Sequence, residues 1–215
     1  MASNNIKLLT EKYITGFCSI NNGIVAKDGV NIFAHENDLS GFLLSAYQHL
    51  QLTYPKFYKM DNLSKLGWLA AEFLLKDTFN KHEYQPEETG VILANANSSL
   101  DDDVKYWESI KDVASPSLFV YTLPNIVIGE ICIRNNFKGE QALYIQPEFD
   151  AQFIAQQVNY LLDKNVMQSC ICGWVDVFEQ EYKAVLFWVE KKKTDKSVDF
   201  SAENMDKIFN NNKLR

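Results

Sequence analysis

Apolar and polar residues follow two different spacings along this chain, and the two spacings alternate. Short apolar runs bounded by glycine, proline or asparagine are typical of strands, whereas apolar residues that recur every three or four positions are typical of helices. Strand-like runs lie at positions 12–21, 91–94, 142–145, 170–175 and 182–190. Helical spacing fills the gaps, and a short loop joins the last two runs as a hairpin. The order βαβαβαββ predicts an α/β domain whose mixed five-stranded sheet carries helices on both faces.

Helices are predicted in each gap between the strands. The first spans Leu39–Leu50, and Asp61 or Asn62 caps the second. The segment Ser115–Arg134 is apolar nearly throughout, which predicts a helix buried on most sides. Pro124 lies inside this segment and must kink or restart the helix, and the gap it leaves in backbone hydrogen bonding could serve a ligand or only a bend.

The stretch from Gly139 to Trp174 predicts a strand, a sharp turn, an amphipathic helix from about Phe149, and a second buried strand. A strand that turns abruptly into a helix is a common setting for a nucleophile in α/β enzymes, because the helix N-terminus lowers the pKa of a cysteine placed there. Here the turn carries Gln146, Pro147, Glu148 and Phe149. The backbone setting is therefore predicted without a nucleophile in it.

Three consecutive aspartates follow Ser99 at the start of another predicted helix. Ser99 and Asp102 have the spacing of a capping box, and acidic residues in a first turn favour the helix dipole. Three carboxylates could also bind a metal ion, but capping is the better prediction. We therefore expect no metal site and no cofactor.

Cysteine and histidine positions offer little catalytic chemistry. Of the four cysteines, Cys170 and Cys172 share one face of a strand, and no CxxC spacing occurs. All four are expected to be small buried apolar residues in a reducing compartment. His35 and His49 have no acidic or cysteine neighbour at ligand spacing, so both are expected to be structural.

Composition and charge narrow the class of protein further. A hydrophobic fraction of 47% is typical of a compact globular protein. The formal net charge of −7 argues against nonspecific binding to nucleic acid. No apolar run is long enough for a membrane span, and the N-terminus lacks the pattern of an export signal, so a cytoplasmic location is the default expectation.

No linker or repeat divides the chain, so residues 1–193 are predicted to form one domain. Residues 22–37 are rich in turn-forming residues and receive no assignment. Residues 194–215 are predicted to be a polar tail with one weak apolar face. That tail is either a mobile terminus or a short docking helix.

Four short segments carry recognisable sequence motifs. A Lys-Met-Asp element precedes an alanine-containing helix at 59–71, and Gly-Val-Ile-Leu-Ala-Asn occupies 90–95. Leu-Pro-Asn at 123–125 is followed by a buried helix and Gly139, and Gly-Trp-Val-Asp occupies 173–176. In this order the four segments resemble the N-terminal half of the β-ketoacyl synthases, the condensing enzymes of fatty-acid and polyketide synthesis. The resemblance covers about residues 10 to 190 and implies a thiolase-like fold.

Two departures from the family pattern bear on activity. In the family, a Thr-Ala-Cys-type element occupies the nucleophile turn, and alignment on Gly139 brings Glu148 near the place of the cysteine. The family's catalytic histidines lie in a C-terminal half that these segments do not include. The resemblance therefore implies a ketosynthase-like protein without catalysis of its own, similar to a chain-length factor, which pairs with a full-length ketosynthase or with a second copy.

The same resemblance supplies the candidate site residues. Partner binding is expected along the edge strand, and substrate or acyl-chain binding at Pro124 and at the turn. The partner-binding candidates are Ala142, Leu143, Tyr144 and Ile145, and the substrate-binding candidates are Pro124, Asn125, Glu148 and Phe149.

Two alternatives stay open. In the first, the chain is an enzyme, either a synthase completed by a second chain or an acyl-thioester hydrolase or decarboxylase in which Glu148 acts as general base. In the second, it is a module that binds an acyl chain or an acyl carrier protein. Because carrier proteins are acidic, the module would need a local basic patch formed by Lys56, Lys59 and Lys65.

Overall fold

The computed structural model describes residues 11–80, 82–111 and 113–210. Within these residues, strands and helices alternate much as the apolar spacing predicts. The strands are β1 Tyr13–Asn21, β2 Ile24–Lys27, β3 Val30–Ala34, β4 Thr89–Asn95, β5 Gln141–Ile145, β6 Ser169–Phe178, β7 Glu181–Glu190 and β8 Val198–Asp199. The helices are α1 Leu39–His49, α2 Asn62–Leu75, α3 Leu100–Ser109, α4 Pro116–Tyr121, α5 Ile126–Asn135, α6 Ala151–Asp163 and α7 Ala202–Phe209, with 3-10 turns at Pro55–Lys59 and Pro86–Glu88.

One mixed sheet runs through the described part of the chain, in the order β3-β2-β1-β7-β6-β4-β5, and β8 adds two residues beside β1. Strand β4 is parallel to both β5 and β6, whereas the other pairs are antiparallel. The five predicted strands correspond to β1, β4, β5, β6 and β7, and the predicted α/β class is confirmed. The sheet has eight strands rather than five because three short strands extend it.

Two of the added strands come from a region that received no assignment. A turn at Asn22-Gly23 joins β1 to β2, and a turn at Asp28-Gly29 joins β2 to β3. All four turn residues have positive φ, as in the type I′ turns of hairpins. Asn-Gly and Asp-Gly are strong hairpin signals, so this meander could have been predicted from the sequence.

Helices cover both faces of the sheet. On one face α1, α2 and α5 pack over a core that includes Trp68, Phe73 and Trp188. On the other face α6 and α7 pack over a core that includes Cys172 and Phe187. Parallel strands covered in this way are expected to be apolar along their length, and every residue of β4 is buried.

The segment Ser115–Arg134 forms two helices instead of one, because the chain turns at Pro124 and restarts as α5. The prediction of burial on most sides is wrong for α4. Phe119 and Val120 of α4 are 57% and 48% exposed. The prediction holds for the inner face of α5, where Val127 and Ile131 are fully buried.

The C-terminal segment returns to the sheet. Val198 of β8 pairs with Ile14 of β1, and α7 buries Met205 and Ile208 against the face covered by α6. Residues 1–10 and 211–215 lie outside the described residues. The expectation about an export signal concerns the first of these segments, and the end of the predicted tail lies in the second. Among the described residues, no helix has the length and apolarity that crossing a bilayer demands.

Candidate functional site

The predicted strand, turn and helix form at the end of β5. The backbone N–H of Gln146 donates to the carbonyl of Asn95 at 2.8 Å, which holds the end of β5 beside β4. Helix α6 begins at Ala151, two residues later than predicted, because Asp150 is a better N-cap than Glu148. The Asp150 carboxylate accepts from the N–H of Phe153 at 2.9 Å. The positive end of α6 is therefore already capped by a carboxylate, and Glu148 lies before it.

The four substrate-binding candidates do not converge on one pocket. Glu148 is exposed, and Phe149 is half-buried in the cluster under α6 and α7. The Phe149 ring stacks on Phe209 of α7, with ring centroids 4.2 Å apart. Pro124 and Asn125 precede α5, which covers the opposite face of the sheet. The structure thus separates these candidates into two pairs and covers Phe149 with the C-terminal helix.

None of the four cysteines is available as a thiolate. Cys18, Cys170 and Cys172 are fully buried and Cys132 is 5% exposed. Burial raises the pKa of the Cys132 thiol to about 12 and raises the pKa of the other three well above the ordinary value. A thiol needs an electropositive, accessible setting to react at neutral pH. The structure therefore supports the expectation that these cysteines are structural.

The two predicted structural histidines pack beside the far edge of the sheet. The His35 and His49 rings lie 6.3 and 4.8 Å from the ring of Phe33, in β3. Strand β3 and strand β5 are the two edges of the sheet, so these imidazoles are at the opposite side from the turn. Both side chains are exposed, and neither is positioned to help chemistry at the turn.

A buried carboxyl group lies at the start of α3 and was misread from the sequence. The predicted capping box is wrong, because the Ser99 hydroxyl donates to the carbonyl of Thr122 at 2.7 Å instead of capping α3. Asp102 is 2% exposed, and its Oδ2 atom has no hydrogen-bond partner among the residues that the structure describes. Burial, with the nearby charge of Asp61, raises the pKa of Asp102 to about 6. Within the described residues, no group of three or more acidic, histidine or cysteine side chains is arranged to hold a metal ion.

A second buried carboxylate supports the break at Pro124. Glu130 of α5 is 3% exposed and lies 2.8 Å from the ammonium of Lys56. The Tyr121 hydroxyl at the end of α4 donates to Glu130 at 3.2 Å, and burial together with that charge raises the pKa of Tyr121. These contacts anchor α4 to α5 across the turn. A lone glutamate in an apolar run was the only sequence signal for them.

The partner-binding candidates form an open edge. Within the described residues, β5 pairs with β4 alone, and parallel pairing directs the backbone groups of Ala142 and Tyr144 toward β4. The backbone N–H and C=O groups of Leu143 and Ile145 consequently face away from the sheet. Ile145 is 53% exposed. An unprotected edge of this kind is a template for pairing with another strand.

An apolar surface lies on the two helices between β4 and α5, and we call it the α3–α4 apolar surface. Its most exposed members are Val113, at 81%, and Trp107, at 65%. On α3 its members Leu100, Val104 and Trp107 are spaced four and seven residues apart. This spacing places them on one face, so the sequence pattern alone resembles that of a helix with a buried face. The members are Leu100, Val104, Trp107, Ile110, Val113, Phe119, Val120 and Leu123.

No protein-family model and no curated protein sequence matches this chain. Solved structures do match it. The ishigamide ketosynthase/chain length factor aligns with a TM-score of 0.60 at 16% identity, over 84% of this chain and 62% of that chain. A type II PKS acyl-carrier protein in complex with its ketosynthase bound to the hexaketide aligns with a TM-score of 0.59 at 15% identity, over 84% and 62%. A ketosynthase in complex with its chain length factor from Xenorhabdus doucetiae aligns with a TM-score of 0.53 at 12% identity, over 85% and 79%.

At identities this low the matches establish the fold. The likeness to ketosynthases, first drawn from short sequence segments, is confirmed at that level, and so is the thiolase-like architecture. This chain spans 62% of the length of each of the first two structures.

Proposed function

We propose that this chain is a ketosynthase-like protein of polyketide-type or fatty-acid-type biosynthesis, and that it acts as a non-catalytic partner of a β-ketoacyl synthase. The observation that carries the proposal is the turn between β5 and α6. It has the strand–turn–helix geometry expected for a nucleophile, yet it presents Gln-Pro-Glu-Phe and a helix N-terminus that Asp150 already caps.

The chemistry that condensation needs has no support elsewhere in the described residues. Claisen-type condensation requires an acyl-carrying nucleophile and donors that stabilise the developing oxyanion. All four thiols are buried with raised pKa values, and His35 and His49 lie beside the opposite sheet edge. The third histidine, His82, is exposed in the segment between α2 and β4. The thiols and histidines therefore favour a structural role for this chain over catalysis of the condensation.

Two surfaces favour pairing with another protein. The open edge of β5 offers unpaired backbone groups, and the α3–α4 apolar surface exposes eight large apolar side chains. Exposed large apolar side chains concentrated in one segment are typical of surfaces that bind a partner. Among the solved structures of the same fold, two are complexes, one with an acyl-carrier protein and one with a chain length factor. We infer that a ketosynthase occupies both surfaces here, with a second copy as the competing occupant.

Co-expression with a candidate β-ketoacyl synthase and co-purification on a single tag tests this proposal. Ile145→Pro should abolish co-purification, because it removes an outward-facing N–H without removing a bond to β4. Trp107→Glu should weaken it strongly, since it places a charge in the α3–α4 apolar surface. Val30→Glu is the matched control, because Val30 is 63% exposed on β3, at the opposite edge of the sheet from β5. The partner role would be refuted if the parent chain forms no complex with the synthase, or if only the control variant loses binding.

The enzymatic alternatives have a direct test in the same preparations. A general base must reach a bound substrate, and Glu148 lies on an open surface, so we favour the partner role. The purified chain should form no acyl-enzyme with a radiolabelled acyl thioester and should not hydrolyse it. Turnover that Glu148→Gln abolishes would favour a hydrolase instead. Tight binding of a carrier protein that Lys59→Glu abolishes, with no ketosynthase bound, would favour the binding module.

A further inference from the structure

A two-chambered groove opens at the end of the sheet opposite the Gln146–Asp150 turn, where β4 begins and α2 and α5 end. The first chamber has a volume of about 240 Å³, and its apolar wall consists of Leu50, Leu52, Leu75 and Phe79. The second chamber has a volume of about 180 Å³ and is more polar. Phe79, Arg134 and Asn135 line both chambers, so the two chambers are adjacent.

Arg134 is fixed in place at the junction. Its Nε and Nη2 atoms each lie 3.1 Å from an oxygen of the Glu72 carboxylate. The guanidinium also lies over the rings of Tyr54 and Trp68, at 5.2 and 5.7 Å from their centroids. The bond to Glu72 raises the pKa of Arg134, so the group stays charged. Nη1 carries two further N–H donors that the pair with Glu72 does not use.

The charge around the first chamber is positive. Lys76 and Arg134 contribute two positive charges and Glu72 one negative charge, so the lining carries a net charge of +1. The whole chain has a net charge of −7. A local positive surplus next to an apolar wall, on an acidic protein, selects a ligand with an anionic head and an apolar body.

We propose that this groove is a binding site for a linear alkyl carboxylate, with the alkyl chain against Leu52, Leu75 and Phe79 and the carboxylate near Arg134 and Lys76. At roughly 30 Å³ for a water-sized group, the first chamber's volume of about 240 Å³ has room for about eight such groups, so octanoate is a suitable probe. The site lies away from the turn and from the α3–α4 apolar surface. The titration of the site needs no partner protein, so the binding site and the proposed partner role can fail separately.

Isothermal titration calorimetry with octanoate, octanol and octylamine tests the site. Octanoate should bind once per chain with a Kd of about 1 mM or tighter, and octylamine at least about ten-fold more weakly, because its charge opposes the lining. Leu52→Trp fills the chamber and should weaken octanoate binding at least about ten-fold. Lys76→Gln should weaken octanoate binding several-fold and leave octanol binding unchanged.

Lys196→Gln is the matched control, because Lys196 is an exposed lysine outside the groove, and it should leave every affinity unchanged. Thermal unfolding checks that Leu52→Trp folds, and if it does not, Lys76→Gln decides alone, since its side chain is exposed. Absence of saturable octanoate binding overturns the proposal. So does equal binding of octanoate and octylamine, or octanoate binding that Lys76→Gln does not weaken.

Discussion

Asp102 carries the most informative stability prediction, because its carboxyl is buried without a full set of partners. Its side chain is 2% exposed, and Oδ2 accepts no hydrogen bond. The carboxylates of Asp61, Asp101 and Asp103 face it, and only Lys105 offsets them. Burial is the main cause that raises the pKa from 3.8 to about 6, and the charge of Asp61 adds to it.

The expected magnitude follows from linkage. The folded state binds the Asp102 proton more tightly than the unfolded state, so the folded protein loses stability as the carboxyl ionises. This loss is absent below about pH 4, grows between about pH 4 and 6, and reaches about 3 kcal/mol above that range. Asp102→Asn removes the charge but keeps a buried polar group with incomplete hydrogen bonding, which costs about 1 kcal/mol or more. We therefore expect the variant to be more stable than the parent by about 1 to 2 kcal/mol at pH 7.5.

Urea unfolding followed by tryptophan fluorescence, at several pH values between 4 and 8, measures this effect. The advantage of Asp102→Asn should shrink as the pH falls, and near pH 4 the variant should be less stable than the parent by about 1 kcal/mol. Asp195→Asn is the matched control, because Asp195 is exposed, and it should change stability by less than about 0.5 kcal/mol at every pH. A variant that is less stable than the parent at pH 7.5, or an advantage that does not depend on pH, would refute the reasoning.

Four further predictions concern two glycines, the buried cysteines and the Arg134–Glu72 ion pair. Gly173→Ala should cost more than about 3 kcal/mol in urea unfolding, because φ is +142° and an added Cβ would lie 2.1 Å from the carbonyl of Val185. Gly129→Ala, in an open position on α5, should instead be neutral or stabilise by up to about 1 kcal/mol. The four cysteines should resist N-ethylmaleimide in the native protein at pH 7.5 and react in urea, as mass spectrometry can show. Arg134→Gln should destabilise the fold by about 1 to 3 kcal/mol by leaving the Glu72 carboxylate without its partner, and the double variant with Glu72→Gln should recover part of that loss.

The sheet could be predicted because each central strand has a local signal. Apolar runs bounded by turn residues identify β1, β4, β5, β6 and β7, and β4 is buried at every position. Element ends were less predictable. Helix α6 begins after Asp150 instead of near Phe149, since the choice among several capping residues depends on the path of the chain before the helix.

The candidate site was harder to predict, because it depends on contacts between residues distant in sequence. Phe149 was expected to face a substrate, but Phe209 stacks on it from sixty positions further along the chain. The Ser99 hydroxyl was expected to cap α3, but it donates its hydrogen bond to the carbonyl of Thr122 instead. Apolar spacing on α3 and α4 indicates a buried face equally well whether the cover is this chain or another protein. Only coordinates distinguish the two cases.

That ambiguity bears on function. If this chain acted alone, the exposure of Trp107, Phe119 and Leu123 would lower its solubility and stabilise nothing. Polar residues at these positions would be compatible with the same helices. The turn at Gln146–Asp150 has the opposite character, since its geometry is intact while its side chains are polar, exposed or covered by α7. In the part of the chain that the structure describes, the turn between β5 and α6 thus holds no cysteine, and large apolar side chains are exposed on α3 and α4. This combination is what we expect of a protein that contributes shape and surface to an assembly in which another subunit supplies the reactive groups.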